Sequence, residues 1–169
     1  MPLVAHTLAT WLQAFMRVNV VVRPGSESLI QSVDSSLPEH AGRIDWVVCP
    51  SAERGMGASL AGGVAALADA PGWLIGLADM PAVPHEVIVR VRQAIVDGAF
   101  LAAPFCGARR GHPVGFSASC RDELLALDGD RGARSLIERD AQHLLRITTT
   151  CVGVLTDIDT PSDLISLTF

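Results

Sequence analysis

No apolar run in this 169-residue sequence approaches the roughly 20 residues a membrane-spanning helix needs. The start, Met1-Pro2-Leu3-Val4, lacks the basic stretch of a secretory leader, so a cytoplasmic location is expected. Cys49, Cys106, Cys120 and Cys151 stand far apart, with no CxxC pair and no histidine at ligand spacing. That argues against a disulfide framework or a zinc site and fits reduced thiols. Positive charge is also short. The formal net charge is −5 and the pI near 5.4, which argues against general nucleic-acid binding. Repeats, linkers and low-complexity segments are absent, and nothing before residue 24 is a glycine-rich phosphate loop.

What is present is a 49% hydrophobic, 18% charged chain, long enough to bury one full core, so a single domain over 1–169 is expected. Apolar residues at helical spacing open the chain over 3–16. A β-branched run at Val18–Val22 then stops at Arg23-Pro24-Gly25-Ser26. A short helix is expected from Ser28 to about Leu37, a strand at Trp46–Cys49, an alanine-rich helix at Ala58–Ala70 and a strand at Trp73–Ala78. Pro84 suits the first turn of the next helix, which runs to about Asp97. A fourth strand is expected at Phe100–Ala103, an irregular stretch at 105–119 that is extended near Val114-Gly115-Phe116, and helices near 121–127 and 133–140. A strand at Leu144–Thr149 and a terminal helix from Pro161 or Ser162 complete the pattern. This alternation predicts a mostly parallel α/β sheet with helices on both faces.

Four chain reversals carry chemistry. Asp79 follows the apolar run Trp73–Leu77, and a lone carboxylate is expensive to bury. It could hold Mg²⁺, a hard cation that prefers oxygen ligands, or cap the segment starting near Pro81. Gly55-Met56-Gly57-Ala58-Ser59 is a tight turn into a helix. Its glycines allow a ligand close to free backbone N–H groups, or simply make a loop with Ser59 as cap and Met56 plugging the core. Arg109-Arg110-Gly111-His112-Pro113 gathers three cations that could grip a phosphate or transfer a proton, or form a solvated loop. Asp128-Gly129-Asp130-Arg131-Gly132-Ala133-Arg134 could hold an anionic substrate through Arg131 or Arg134, or neutralise itself as a turn. Of Asp157 and Asp159, only one is expected to share a metal with Asp79, the other capping the start of the next helix. His6, His40, His85 and His143 show no shared logic and are expected at the surface.

Taken in order, GMGASL (55–60), LADMP (77–81), RGHPVGF (110–116), LDGDRGARSLI (127–137) and DIDTPSDL (157–164) resemble the MobA-like nucleotidyltransferases. Within them the sequence is closer to the molybdenum cofactor cytidylyltransferase branch. The guanylyltransferase branch usually has Gly-Pro-Leu-Ala-Gly in place of GMGASL and Asn-Ile-Asn in place of Asp157-Ile158-Asp159. The resemblance implies a three-layer α/β/α sandwich of the nucleotide-diphospho-sugar transferase type. It implies transfer of CMP from CTP, or of another nucleotide from its triphosphate, to a molybdopterin-type cofactor, with release of pyrophosphate. Asp79, His112 and Arg110 would be catalytic. Asp79 would carry Mg²⁺ with Asp159 or Asp157, Gly55, Met56, Gly57 and Ser59 would face the nucleotide, and Arg131 and Arg134 the acceptor.

The family pattern begins with a strand and a Leu-Ala-Ala-Gly-x-Ser-x-Arg-Met-Gly loop, then a lysine. This sequence resembles the segment just after that loop and has no lysine in a comparable place. The resemblance therefore implies a domain N-terminally short of the pattern, lacking its first strand. It leaves an edge at Val18–Val22 for another chain, such as a second copy or a molybdoenzyme partner, to satisfy. Two functions are compatible with that: a transferase, or a non-catalytic protein of the same fold that binds or delivers the pterin cofactor.

Overall fold

The computed structural model describes residues 1–160 and Asp163. Helix α1 (Leu3–Ala14) buries Ala5, Leu8 and Leu12 on one stripe, as helical spacing dictates. Strand β1 (Val18–Val22), helix α2 (Glu27–Ser36) and strand β2 (Ile44–Val48) follow, with β1 and β2 paired in parallel. Helix α3 (Met56–Ala65) leads to β3 (Gly72–Ile75), shorter than the apolar run that contains it, and α4 (His85–Val96) leads to β4 (Leu101–Cys106). The stretch expected to be irregular holds β5 (Arg109–Arg110) and β6 (Val114–Ser117). Helices α5 (Arg121–Leu125) and α6 (Arg134–Arg139) precede β7 (Leu144–Thr149). The expected terminal helix from Pro161 or Ser162 lies outside the described residues.

Strand β4 is the spine. Leu101, Ala102 and Ala103 are each 0% exposed, because both faces of the sheet are covered. Leu101, Ala103 and Phe105 pack with Val64 of α3, Leu124 of α5 and Leu136 of α6. Ala102 turns the other way, onto Val87 and Val91 of α4. The three-layer α/β/α sandwich expected from the sequence is therefore the observed architecture.

Its mostly parallel sheet is modified in two ways. Strand β4 pairs in parallel with β7, but β6 enters antiparallel between β3 and β4. The cause is local: the chain leaves β4, reverses at Gly107 and returns alongside it through β5 and β6. Pro104, which cannot donate to a ladder, sits where β6 has ended and β5 has not begun. The second departure is that the strands form two sheets rather than one, β1–β2 and a five-stranded sheet of β3, β6, β4, β5 and β7.

Residues 152–158 lock the C-terminal end of the larger sheet. The His112 N–H donates to the Val154 carbonyl at 2.9 Å, and the Ile158 N–H to the Asp79 carbonyl at 2.9 Å. A Cβ on Gly153 would fall under 3.0 Å from the backbone of Ala82, and one on Gly111 under 3.0 Å from the backbone of Val154. A side chain at either position meets main chain that cannot swing aside. Gly153→Ala should cost about 3 kcal/mol, the upper end for overpacking. Urea unfolding with an unchanged midpoint would show that this segment is not clamped.

Candidate active site

The C-terminal end of β3 delivers Asp79 into a turn followed by buried Met80 and Pro81. Its Oδ1 is buried and has no hydrogen-bond partner among the described residues. It is not a cap: α4 starts six residues later behind Pro84, with no side-chain cap. Thr7, on α1, donates its hydroxyl to the Ala78 carbonyl at 2.8 Å and fixes the backbone just before Asp79. No spacing in the sequence signalled that contact.

His112 faces Asp79. Burial, and then the nearby Arg110 charge, push its imidazole below the ordinary 6.5. A hydrogen bond to the Ile75 backbone and the charges of Asp79 and Asp157 act in the opposite direction. The ring's Nδ1 is buried and unpartnered, so the bond to Ile75 uses Nε2 and leaves Nδ1 free to accept. The charge of Asp157 reaches His112, but Asp157 and Asp159, two residues apart, are both exposed on either side of buried Ile158, so they share one face rather than parting to opposite ones. Asp159 is exposed, and its backbone serves the Asp163 carboxylate, which also accepts from the Thr160 N–H at 2.8 Å. No group of three His, Cys, Asp or Glu suited to a metal occurs among the described residues.

Arg110 forms the opposite wall. Its Nη1 is buried without a partner, and burial, then the charge of Arg134, lower its pKa. Arg134 bonds Glu138 at 2.7 Å, and Glu138 also feels Arg110 and Arg131. Three guanidinium groups thus share one carboxylate, a net positive cluster beside His112. The turn of 128–134 is not self-neutralising at this end. Glu138 was absent from the sequence expectations, although its four-residue offset from Arg134 on a helix could have found it. Arg109 is exposed and stands apart.

The glycine turn before α3 has a different neighbour. The Gly57 N–H donates to the Gly129 carbonyl at 2.7 Å, and a Cβ on Gly55 or Gly57 would collide with the backbone of 128–129. Gly55, Met56 and Gly57 therefore dock the 128–132 loop, helped by an Arg54–Asp128 ion pair. Ser59 makes no cap, and Met56 is 55% exposed rather than a core plug. His6, His40 and His85 are half-buried rather than at the surface; His40 lies 2.9 Å from Arg43. All four cysteines are free thiols, with Cys49 and Cys120 buried.

A three-layer sandwich with carboxylates and guanidinium groups converging at a strand's carboxyl end has the form of a nucleotide-handling α/β protein. Residues 1–144 match the MobA-like NTP transferase domain, and the chain belongs to that family. It is similar to the purine catabolism protein PucB of Bacillus subtilis (strain 168), with 36% identity over 121 residues, 69% of this chain and 57% of PucB. It thus spans less than two thirds of that relative's length.

Among solved structures, Rv0371c of Mycobacterium tuberculosis H37Rv superposes with a TM-score of 0.78 at 24% identity, covering 98% of this chain and 82% of that one. The manganese complex of Rv0371c gives 0.75 at 21% identity, covering 98% and 84%. The 4-diphosphocytidyl-2C-methyl-D-erythritol synthase of Anaerococcus prevotii DSM 20548 gives 0.75 at 14% identity, covering 98% and 83%. At these identities the likeness is one of fold.

Because folding lowers the His112 pKa, protonation favours the unfolded chain. The residue's contribution to stability is complete above its ordinary 6.5 and is lost as pH falls below it. Thermal midpoints measured from about pH 7 to about pH 5 should fall more steeply for the wild type than for His112→Asn. Parallel curves would remove the buried, neutral imidazole from the description.

Proposed function

We propose that this protein is a nucleotidyltransferase that moves CMP from CTP to the phosphate of a molybdopterin-type cofactor, releasing pyrophosphate. One observation carries the reading. Three buried polar atoms without partners among the described residues, Asp79 Oδ1, His112 Nδ1 and Arg110 Nη1, belong to side chains that act on one another, with a cation cluster on one side and carboxylates on the other. Buried polar groups left unpaired in a folded chain mark a place where a ligand completes the bonding. The donor set suits one charged on both counts, a phosphate-bearing substrate with a hard cation. The choice of cytidine and of a pterin acceptor rests on the motif resemblance.

In the reaction an acceptor phosphate oxygen attacks the α-phosphorus, the bond to the β-phosphate oxygen breaks, and pyrophosphate leaves with the electron pair. Arg110, with Arg131 and Arg134, would hold the acceptor phosphate against the repulsion of the triphosphate. His112, neutral at pH 7 with Nδ1 open, would take a proton from a protonated acceptor phosphate. Asp79 and Asp157 fit Mg²⁺, since that ion is commonly held by one or two carboxylates plus waters and substrate phosphates. When bound it would offset charge developing on the phosphates.

Pyrophosphate release from CTP, Mg²⁺ and molybdopterin cofactor should fall by roughly a thousandfold in Asp79→Asn. Arg110→Ala should raise the KM for the acceptor by about tenfold or more while the nucleotide KM changes little. No turnover from folded wild-type protein with any of the common nucleoside triphosphates would reject the activity. Pterin binding without CTP binding in calorimetry would favour the non-catalytic carrier.

A further inference from the structure

Three neighbouring strands place side chains on one face of the larger sheet, at the carboxyl end of β4. Phe105 of β4 stands opposite Arg110 of β5, and residues directly paired in an antiparallel ladder point the same way. Ala103 stands opposite Arg146 of β7, so Arg146 shares the face of Ala103 and Phe105. The Arg146 side chain leans forward along its strand, and its Cζ lies 3.7 Å from the centre of the Phe105 ring. A guanidinium that close lies flat on the ring, because an upright one would push a nitrogen inside contact distance.

Phe105 is buried and packs with Leu136 of α6, so the ring cannot turn away from the cation above it. Arg146 itself is exposed, which leaves the other face of its guanidinium open. It has no acidic partner among the described residues, whereas Arg17, Arg54, Arg134 and Arg139 are each paired with a carboxylate. Strands β5 and β7 flank β4 at Phe105. Two strand spacings, roughly 10 Å, therefore separate the backbones of Arg110 and Arg146.

A side chain that merely covered Phe105 would need only an aliphatic stem. A planar cation pinned by an aromatic ring offers more: a second flat surface, already fixed in place, on which a ligand ring stacks at little cost in side-chain freedom. We propose that the open face of Arg146 is the platform for a flat, pterin-type ring of the acceptor, whose phosphate is held at Arg110. The inference rests on the acceptor role given to Arg110 above and adds a substrate class to it. The acceptor carries a phosphate and a planar heterocycle on a short chain, the two about 10 Å apart. A phosphate without a ring would engage the Arg110 end alone.

The test is calorimetric titration of the full chain, without nucleotide, using neopterin monophosphate and glycerol phosphate as probes. The ring-bearing phosphate should bind about tenfold more tightly than the ring-free one. Arg146→Ala should erase that advantage and leave glycerol phosphate binding unchanged, whereas Arg110→Ala should weaken both probes. Arg146→Lys keeps the charge and the stem but not the plane, and should lose the advantage as Arg146→Ala does. If the alanine variant does not fold, the lysine variant decides alone. Equal affinity for the two probes in the wild type, no binding of either, an advantage that survives Arg146→Ala, or full rescue by Arg146→Lys overturns the proposal. Because no turnover is read, the outcomes separate. Ring-dependent binding in a protein that never releases pyrophosphate rejects the transferase and keeps the platform, and turnover indifferent to Arg146 does the reverse.

Discussion

The backbone of residues 152–158 is pressed against two other loops, and the geometry of the candidate site depends on that contact. The Val154 carbonyl fixes His112, the Ile158 amide fixes Asp79, and Gly153 and Gly111 let the chains approach with no side chain between them. Because the contacts are backbone to backbone, they set positions to within a hydrogen bond's tolerance. Asp79, His112 and Asp157, which span 78 positions of sequence, are brought together in this way rather than by one element carrying them all.

The charge arrangement follows from the same packing. Carboxylates come from the ends of β3 and of the C-terminal segment, guanidinium groups from β5 and the start of α6, and the imidazole lies between them. The overall charge of −5 gives no hint of a basic cluster, yet Arg110, Arg131 and Arg134 all act on Glu138. A guanidinium group whose Nη1 is buried and unpaired is an unfavourable arrangement until an anion joins it. Such a residue is held there by packing, not by its own interactions.

The strands stand in two sheets, and α1 anchors on both: Leu8 and Leu12 pack with the β1–β2 sheet, and Trp11 with Met80, Val83 and Ile88. The two sheets therefore keep their places through helices rather than through strand pairing.

Local chemistry was readable in the sequence. Apolar period and turn residues located β1, β4, β7 and the main helices, because side-chain spacing within one element follows from backbone geometry alone. The same reasoning put a carboxylate at the end of β3. What it could not say was that Ile158 turns inward, its amide finding Asp79, while Asp157 and Asp159 on either side stay exposed. Nor could it reveal that the Gly55–Gly57 turn docks the 128–132 loop, that β6 slides antiparallel between β3 and β4, or that Glu138 joins the arginines. Each of those is a contact between residues far apart in the chain, decided by how the layers close, and only the tertiary structure brings the partners within reach.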